Sequence, residues 1–183
     1  VAVVAAATLA AAADARAESV LIRVQDGSPI TVGCSGGMLT VTGPATLPPL
    51  PACSALTFLE LNASGPSANA IDLSGVTAGS FPLLPPAGGV LVFAGDGNDT
   101  VTGSPLGDEI HAGPGADTVT SGGGPDIVRG GPGGDAMACG PGIDLVSYQD
   151  DSEGVTVDLA GSPGSGGVAA GDTLTGCEDA VGG

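Results

Sequence analysis

Basic and aromatic residues are nearly missing from this chain. Its 183 residues include three lysines and arginines together against twenty aspartates and glutamates, and the net charge is −17. Binding to nucleic acid or to an anionic membrane surface needs a basic patch, which so few cations cannot make. Aromatic side chains are only 2% of the chain, so the core is expected to be thin and built from small side chains.

Helical periodicity is also lacking. From residue 18 to residue 93, apolar residues alternate in short pieces separated by glycine, proline and serine clusters, which is typical of strands and turns. The pieces read VLIRV, ITVGC, MLTVTG, LTFLELN, AIDLSGV and VLVFAG. The pattern predicts an all-β fold, with residues 18–93 forming irregular β-rich coils at the N-terminal end of a longer stack.

A strict nine-residue period follows, over residues 94–147. Six consecutive segments read AGDGNDTVT, GSPLGDEIH, AGPGADTVT, SGGGPDIVR, GGPGGDAMA and CGPGIDLVS. Each has aspartate at its sixth place, namely Asp99, Asp108, Asp117, Asp126, Asp135 and Asp144. Each has an apolar residue at its eighth place, namely Val101, Ile110, Val119, Val128, Met137 and Val146. A flexible glycine-rich linker would not keep apolar residues in phase, so the period predicts a tight turn and a short strand in every segment.

Two segments make one coil of such a stack, so aspartates eighteen residues apart should form two ladders. We call these the Asp117 ladder (Asp99, Asp117, Asp135) and the Asp126 ladder (Asp108, Asp126, Asp144). Carboxylates about 5 Å apart repel by roughly 3 kcal/mol at an effective dielectric of ~20, and neither ladder contains a basic residue. The ladders therefore require a cation. Oxygen donors without a histidine or thiolate set favour calcium over zinc or copper.

These segments resemble the RTX family, also called hemolysin-type calcium-binding repeats, whose nonapeptide is G-G-x-G-x-D-x-U-x. The resemblance covers about a third of the chain and implies a right-handed parallel β-roll that binds calcium between successive turns on the same side. The ligands that it implies are the six aspartate carboxylates and carbonyls of the turn glycines. Those glycines are Gly95, Gly97, Gly113, Gly115, Gly122, Gly124, Gly131, Gly133, Gly140 and Gly142. Four interior sites are expected, with Asp117 and Asp126 each serving two.

Some segments depart from the pattern. Leu106 replaces the fourth-place glycine of the second segment, and Pro125 stands at the fifth place of the fourth segment. Leu106 predicts that the site between Asp108 and Asp126 is the weakest. After residue 147 the next aspartate place falls on Glu153 without the glycines, so residues 148–183 are expected to hold one more strand, GVTVDLAG, and an irregular tail.

Both ends of the chain suggest export and a longer protein. Residues 1–17 are alanine-rich and end in Ala15-Arg16-Ala17, which predicts the end of a signal peptide cleaved before Glu18. The alternative, a membrane helix, is disfavoured because the run is short and contains Asp14 and Arg16. The glycine-rich end of the chain makes a continuation beyond residue 183 plausible.

Four cysteines in an exported chain predict disulfides, and proximity favours Cys34 with Cys53 and Cys139 with Cys177. The alternatives are buried thiols or a structural metal site. Each disulfide would stabilise the fold by roughly 3 to 4 kcal/mol in the chain-entropy model.

Catalytic signals are weak. Ser35 lies in a G-x-S-x-G pattern, but no helix is predicted after it, so a plain connecting turn is expected. The only histidine, His111, is expected to be a solvated surface residue and cannot form an H-E-x-x-H zinc site. Asn62 and Asn98 fit glycosylation tripeptides that arise often by chance. Asp150, with Asp151 and Glu153, is either an extra cation site or, as we favour, a solvated acidic turn.

Two functions are compatible with these patterns. The first is a secreted, non-enzymatic calcium-binding β-roll with a structural or surface-interaction role. The second is the N-terminal part of a larger secreted RTX enzyme, such as a hydrolase or protease, or of an adhesin. The sequence beyond residue 183 would distinguish them. A cytolytic toxin is disfavoured because toxins of this family commonly leave by a C-terminal signal.

Overall fold

Short β-strands and turns make up the protein. The computed structural model describes residues 4–6, 18–24, 27, 29–43, 50–63 and 65–182. Over this part of the chain there is no α-helix, and the two 3-10 helices, Cys53–Ala55 and Gly167–Ala169, are too short to span a membrane. The strands are β1 Val4–Ala6, β2 Glu18–Val24, β3 Ile30–Ser35, β4 Met38–Thr42, β5 Leu56–Ala63, β6 Ala70–Asp72, β7 Val90–Phe93, β8 Thr100–Thr102, β9 Asp108–His111, β10 Thr118–Thr120, β11 Ile127–Arg129, β12 Ala136–Ala138, β13 Leu145–Tyr148, β14 Thr173–Thr175 and β15 Asp179–Gly182. The predicted all-β class is confirmed.

The strands form two sheets. Sheet A has the order β1-β2-β5-β7-β9-β11-β13-β15, and sheet B has the order β14-β12-β10-β8-β6-β3-β4. From β5 onward, consecutive strands alternate between the two sheets and every pairing is parallel. Among the strands named above, antiparallel pairing occurs only at the N-terminal edges, where β1 meets β2 and β3 meets β4. The strands predicted within residues 18–93 are therefore present, and they belong to the same two sheets as the repeats.

The nine-residue period sets the register of both sheets. In sheet B, Val101 lies opposite Val119, which lies opposite Met137, and each step is eighteen residues. In sheet A, Ile110, Val128 and Val146 align in the same way. All six of these eighth-place side chains are at most 2% exposed, so their predicted position in the core is confirmed. Complete burial of such a side chain contributes roughly 1.5 to 3 kcal/mol.

Both predicted disulfides are present. Cys34 is bonded to Cys53 beside the β3–β4 hairpin, and Cys139 is bonded to Cys177. The second bond joins the last repeat to the turn between β14 and β15. It therefore links the last coil of the repeats to the next coil along the stack.

The C-terminal segment differs from its prediction. The stretch GVTVDLAG is not a strand, because only Thr156 pairs, in an isolated bridge with Ser165. The chain leaves the sheets after Tyr148, folds back on itself through that bridge, and returns as β14 on the edge of sheet B. The predicted signal peptide lies outside the described residues except for Val4–Ala6, so it stays a prediction.

Candidate metal centre

The six repeat aspartates are buried, each with at most 2% of its surface exposed. Aspartate is almost never fully buried unless it is paired with a cation or a set of hydrogen-bond donors. Each of these residues comes at the end of a turn, beside or within the short strand that follows it. The partners of their oxygen atoms therefore decide what the site can do.

One oxygen of each later carboxylate holds the coil before it. The backbone N–H of Asp99 donates to Asp117 Oδ1 at 2.7 Å, and the N–H of Asp117 donates to Asp135 Oδ1 at 2.9 Å. On the other side, Asp108 donates in the same way to Asp126 at 2.8 Å, and Asp126 donates to Asp144 at 2.9 Å. The structure thus brings together the aspartates that the period predicted to be neighbours.

Three residues outside the repeats extend the ladders, and the sequence prediction missed them. Asn69 N–H donates to Asp99 Oδ1 at 2.7 Å, which begins the Asp117 ladder. Asp135 N–H donates to Asp172 Oδ1 at 2.9 Å at its other end. The Asp126 ladder ends in the same way on Glu178. Asp172, rather than Glu153, is therefore the next ladder aspartate; Glu153 is exposed.

A sequence signal for Asp172 did exist. The stretch Asp172-Thr173-Leu174-Thr175 repeats the D-T-V-T of the first and third segments with one apolar exchange. It was hidden because residues 148–171 interrupt the nine-residue count. Glu178 carries a weaker signal, since only its acidic side chain and the apolar Ala180 keep the pattern.

The second oxygens of four ladder aspartates are buried without a hydrogen-bond partner in the described part of the chain. They are Oδ2 of Asp99, Asp117, Asp135 and Asp144. Leaving a buried polar group unsatisfied costs about 1–3 kcal/mol, and more for a charged group. Three of the four are successive members of the Asp117 ladder, so the deficit is concentrated on that side.

Two serines donate to the corresponding oxygens of the Asp126 ladder, Ser104 through its backbone N–H and Ser121 through its hydroxyl. Ser104 donates its backbone N–H to Asp108 Oδ2 at 2.6 Å and its hydroxyl to Oδ1 at 2.7 Å. Ser121 Oγ lies 2.5 Å from Asp126 Oδ2 and 2.6 Å from the carbonyl oxygen of Cys139. A hydroxyl has one proton and can donate to only one of those two oxygens. One of the two short contacts of Ser121 Oγ therefore has no hydrogen between its oxygen atoms.

An amide nitrogen fills the N-terminal end of the Asp117 ladder. Asn69 Nδ2 lies 2.9 Å from the carbonyl oxygens of both Ser67 and Ala94, and 3.2 Å from Asp99 Oδ1. Three oxygens therefore converge on one electropositive group. Farther along this ladder, aspartate takes the place of the asparagine, and no donor among the described residues reaches Oδ2 of Asp99, Asp117 or Asp135.

The predicted turn glycines stack so closely that no side chain fits between coils. A Cβ on Gly113, where φ is +104°, would collide with the carbonyl oxygen of Gly95. The carbonyl oxygens of six turn glycines lie against the glycine eighteen residues later in this way, and none accepts a backbone hydrogen bond in the described chain. They are Gly95, Gly97, Gly113, Gly115, Gly122 and Gly124. The later glycines, Gly131, Gly133, Gly140 and Gly142, provide the space.

Burial and like charge perturb these carboxyl groups. Burial, together with the neighbouring carboxylates of Asp172 and Asp117, raises the pKa of Asp135 to about 7. Burial and the charge of Asp99 raise the pKa of Asp117 to about 6. The pKa of Asp108 rises to about 7, mainly through burial. A cation among these oxygens would favour the deprotonated form and so act against the shifts.

Across the described residues, no group of three or more histidine, cysteine, aspartate or glutamate side chains gathers as metal ligands. Each pair of neighbouring ladder residues offers two carboxyl groups. Main-chain carbonyls would have to complete the coordination of a cation, and the turn glycines carry such carbonyls. The residues present therefore fit a hard cation better than zinc or copper.

The other candidate residues do not form a second centre. Ser35 ends β3 and is followed by the Gly36-Gly37 hairpin turn to β4, so the strand-to-helix turn of a hydrolase is not formed there. Asp151 accepts a backbone hydrogen bond from Glu153 within the local turn and another from Val168, which joins this turn to the 3-10 helix Gly167–Ala169. Asp150 has a side chain that is 92% exposed.

His111 keeps 29% of its side-chain surface exposed, and it also has partners that the sequence analysis did not predict. Its ring lies 4.7 Å from the ring of Phe93, and its Nε2 is 3.0 Å from Glu109 and 3.1 Å from Arg129. Arg129 also donates to Glu109 at 2.6 Å. Burial raises the pKa of Glu109, but the hydrogen bonds from Arg129 and His111 lower it, so the pKa lies below its usual value. Phe93, His111 and Arg129 are cross-strand neighbours in sheet A, spaced by eighteen residues.

Comparison with known proteins found no matching family model, no matching curated protein and no matching solved structure.

Proposed function

We propose that this chain is a secreted calcium-binding protein whose strands form a right-handed β-roll that orders when calcium binds. Its role is structural or in surface interaction, and no enzymatic activity is proposed. The observation that carries the proposal is the row of buried carboxylate oxygens without a partner, Oδ2 of Asp99, Asp117 and Asp135. The RTX-like repeat supports the same conclusion independently.

Calcium suits this row because all the donors are oxygen atoms. The carboxyl groups lie beside turns whose glycine carbonyls accept no backbone hydrogen bond, and these are the ligands that calcium prefers. When bound, the cation supplies the positive charge that the ladders lack. The candidate ligands are the six repeat aspartates with the carbonyls of the turn glycines.

Each ladder carboxylate has two roles in this proposal. Asp117 uses Oδ1 to hold the N–H of Asp99 in the preceding coil, while its Oδ2 remains available to a cation. The same side chain therefore joins neighbouring coils and binds the ion. Because the site exists only when the coils are stacked, ion binding stabilises the folded state alone. Without the cation, burial of successive carboxylates opposes stacking.

Secretion is the matching location. Disulfides persist in oxidising compartments, and both Cys34–Cys53 and Cys139–Cys177 are formed here. The predicted signal peptide at residues 1–17 supports the same location. Affinity is expected to be on the order of 10⁻⁴ to 10⁻³ M, as in extracellular calcium modules.

Circular dichroism during a calcium titration tests this proposal. The chain is expected to be only partly folded in chelator and to gain β-structure as calcium reaches millimolar concentration, whereas magnesium at the same concentration should have a much smaller effect. Asp150→Asn is the matched control, since it removes an exposed carboxylate outside the ladders and should titrate like the parent chain. Identical spectra in chelator and in excess calcium would contradict the proposal.

A further inference from the structure

The first coil after the repeats is joined to them as closely as the repeats are joined to one another. Thr173–Thr175 pairs in parallel register with Ala136–Ala138, as the repeat strands do. Asp172 is 1% exposed and accepts the backbone N–H of Asp135 at 2.9 Å. These two aspartates are 37 residues apart, against 18 within the repeats. The chain nevertheless restores the ladder.

The Asp135–Asp172 pair combines negative charge with an unfilled oxygen. Asp135 is 1% exposed and its Oδ2 has no donor among the described residues. Asp172 Oδ2 accepts a hydrogen bond from the Tyr148 hydroxyl at 2.9 Å. Each carboxylate oxygen has two lone pairs, so this bond still leaves Asp172 acceptor capacity for a cation. Arg129 gives no compensation here, because its guanidinium pairs with Glu109.

We infer that Asp135, in the last repeat of its ladder, and Asp172, outside the repeats, form a further cation site, with the Tyr148 hydroxyl orienting the Asp172 carboxylate. This inference rests on the proposed function and adds to it a site that the repeat pattern does not contain. The ligand is a hard cation of the calcium class. Because residues 149–171 connect β13 to Asp172, cation binding here also fixes the return of the chain onto sheet B.

Tyr148 provides a local probe for this site. It is the only tyrosine of the chain, and there is no tryptophan. Terbium(III) occupies calcium sites with oxygen ligands and emits when a nearby aromatic ring transfers its excitation energy. Titration of the whole chain with terbium, excited through tyrosine, is therefore expected to produce terbium emission that excess calcium removes. Calorimetry on the same sample counts the bound ions.

Three variants locate the emitting ion. Asp172→Asn is expected to reduce tyrosine-excited emission at least tenfold and to lower the ion count by about one. Asp99→Asn, at the distant end of the same ladder, should also lower the ion count but leave most of the emission. Asp150→Asn removes an exposed carboxylate two residues from Tyr148 and should change neither quantity.

The possible outcomes separate this inference from the proposed function. Terbium that binds without tyrosine-excited emission in the parent chain overturns the inference and leaves the proposed function standing. Undiminished emission in Asp172→Asn overturns it as well. No binding of either ion would end the proposed function. If Asp172→Asn fails to fold, Asp135→Asn, which retains Tyr148 and Asp172, must lose the emission, or the inference is wrong.

Discussion

The two aspartate ladders come from one repeat but reach different electrostatic states. In the Asp117 ladder, three successive carboxylates each have a buried oxygen without a donor. In the Asp126 ladder, Ser104 and Ser121 contact the corresponding oxygens of Asp108 and Asp126, and among the described residues only Asp144 has an oxygen, Oδ2, without a donor. The difference arises at the first two places of the segments, not at the aspartates. The Asp117 side should therefore depend more strongly on a cation.

Removal of the central aspartates should show the largest contrast. Asp117→Ala is expected to lose about two ions and about 4 kcal/mol of unfolding free energy in saturating calcium, because it also leaves the N–H of Asp99 without an acceptor. Asp126→Ala should lose about one ion or fewer, since Ser121 already contacts its second oxygen. Ion counts by calorimetry and urea midpoints measure both effects. Equal losses in the two variants would remove the distinction between the ladders.

The repeat ends give a second contrast within the Asp117 ladder. Asp99→Ala should lose fewer ions than Asp117→Ala. Asp99 has an aspartate neighbour in the ladder on one side only, Asp117, and on its other side it contacts the Asn69 amide. The expected loss is about one ion. Calorimetric titration of the two variants side by side decides this, and the same count for both would exclude shared ligands.

The Cys139–Cys177 disulfide lies beside the Asp126 ladder, since Cys177 immediately precedes Glu178 of that ladder. Replacement of both cysteines by serine should cost roughly 3 kcal/mol in the chain-entropy model. It should also weaken ion binding at the Asp144 end more than at the Asp117 ladder. Urea unfolding of the double variant in calcium measures the first effect. Reduction of the parent chain also breaks Cys34–Cys53 and should therefore cost more than the double variant does.

Removing a hydroxyl group from the Asp126 ladder and adding one to the Asp117 ladder should change the calcium dependence of the two ladders in opposite directions. Ser121→Ala leaves Asp126 Oδ2 without its donor, so the calcium-free chain should lose about 2 kcal/mol and its calcium dependence should increase. Ala112→Ser places a hydroxyl at the equivalent first place before Asp117 and should have the opposite, smaller effect, about 1 kcal/mol. Urea unfolding in chelator compares the two. Changes of the same sign would show that the serines do not distinguish the ladders.

A pH dependence should be the smallest effect and the most specific to the calcium-free state. The folded-state pKa values of Asp135, about 7, and Asp117, about 6, lie above the ordinary value of 3.8. The folded state therefore holds protons more tightly, so metal-free stability is greatest below about pH 4 and falls as pH rises through 6 to 7. Saturating calcium should flatten this trend. Unfolding midpoints across that range, with and without chelator, measure it; a metal-free chain that gains stability toward pH 8 would contradict the assignment.

The periodic parts of the fold were predictable because each coil repeats the same length. Val101, Val119 and Met137 could be placed in one row from their spacing alone, and the structure places them there. The same spacing contained the Phe93–His111–Arg129 row, which was overlooked because His111 was considered alone. Proximity along the chain was enough to pair the cysteines correctly.

The interruption after Tyr148 was not predictable by counting. GVTVDLAG alternates like a strand, but the chain there lies outside both sheets, and Asp172 resumes the ladder after a loop of arbitrary length. Leu106 was expected to weaken one site. The structure shows Leu106 buried, with its backbone N–H donating to the Ser104 hydroxyl that contacts Asp108. Its effect on a cation stays a prediction.

The sequence by itself determined the all-β class, the eighteen-residue register, the apolar rows, the disulfide partners and the neighbours within each ladder. All of these follow from residue spacing, because equal spacing brings equal places together. Only the tertiary structure decided which oxygen of each aspartate keeps a donor and which does not. That depends on whether an amide, a hydroxyl or nothing from the neighbouring turn lies within about 3 Å of it, a distance shorter than any pattern of residue types can specify.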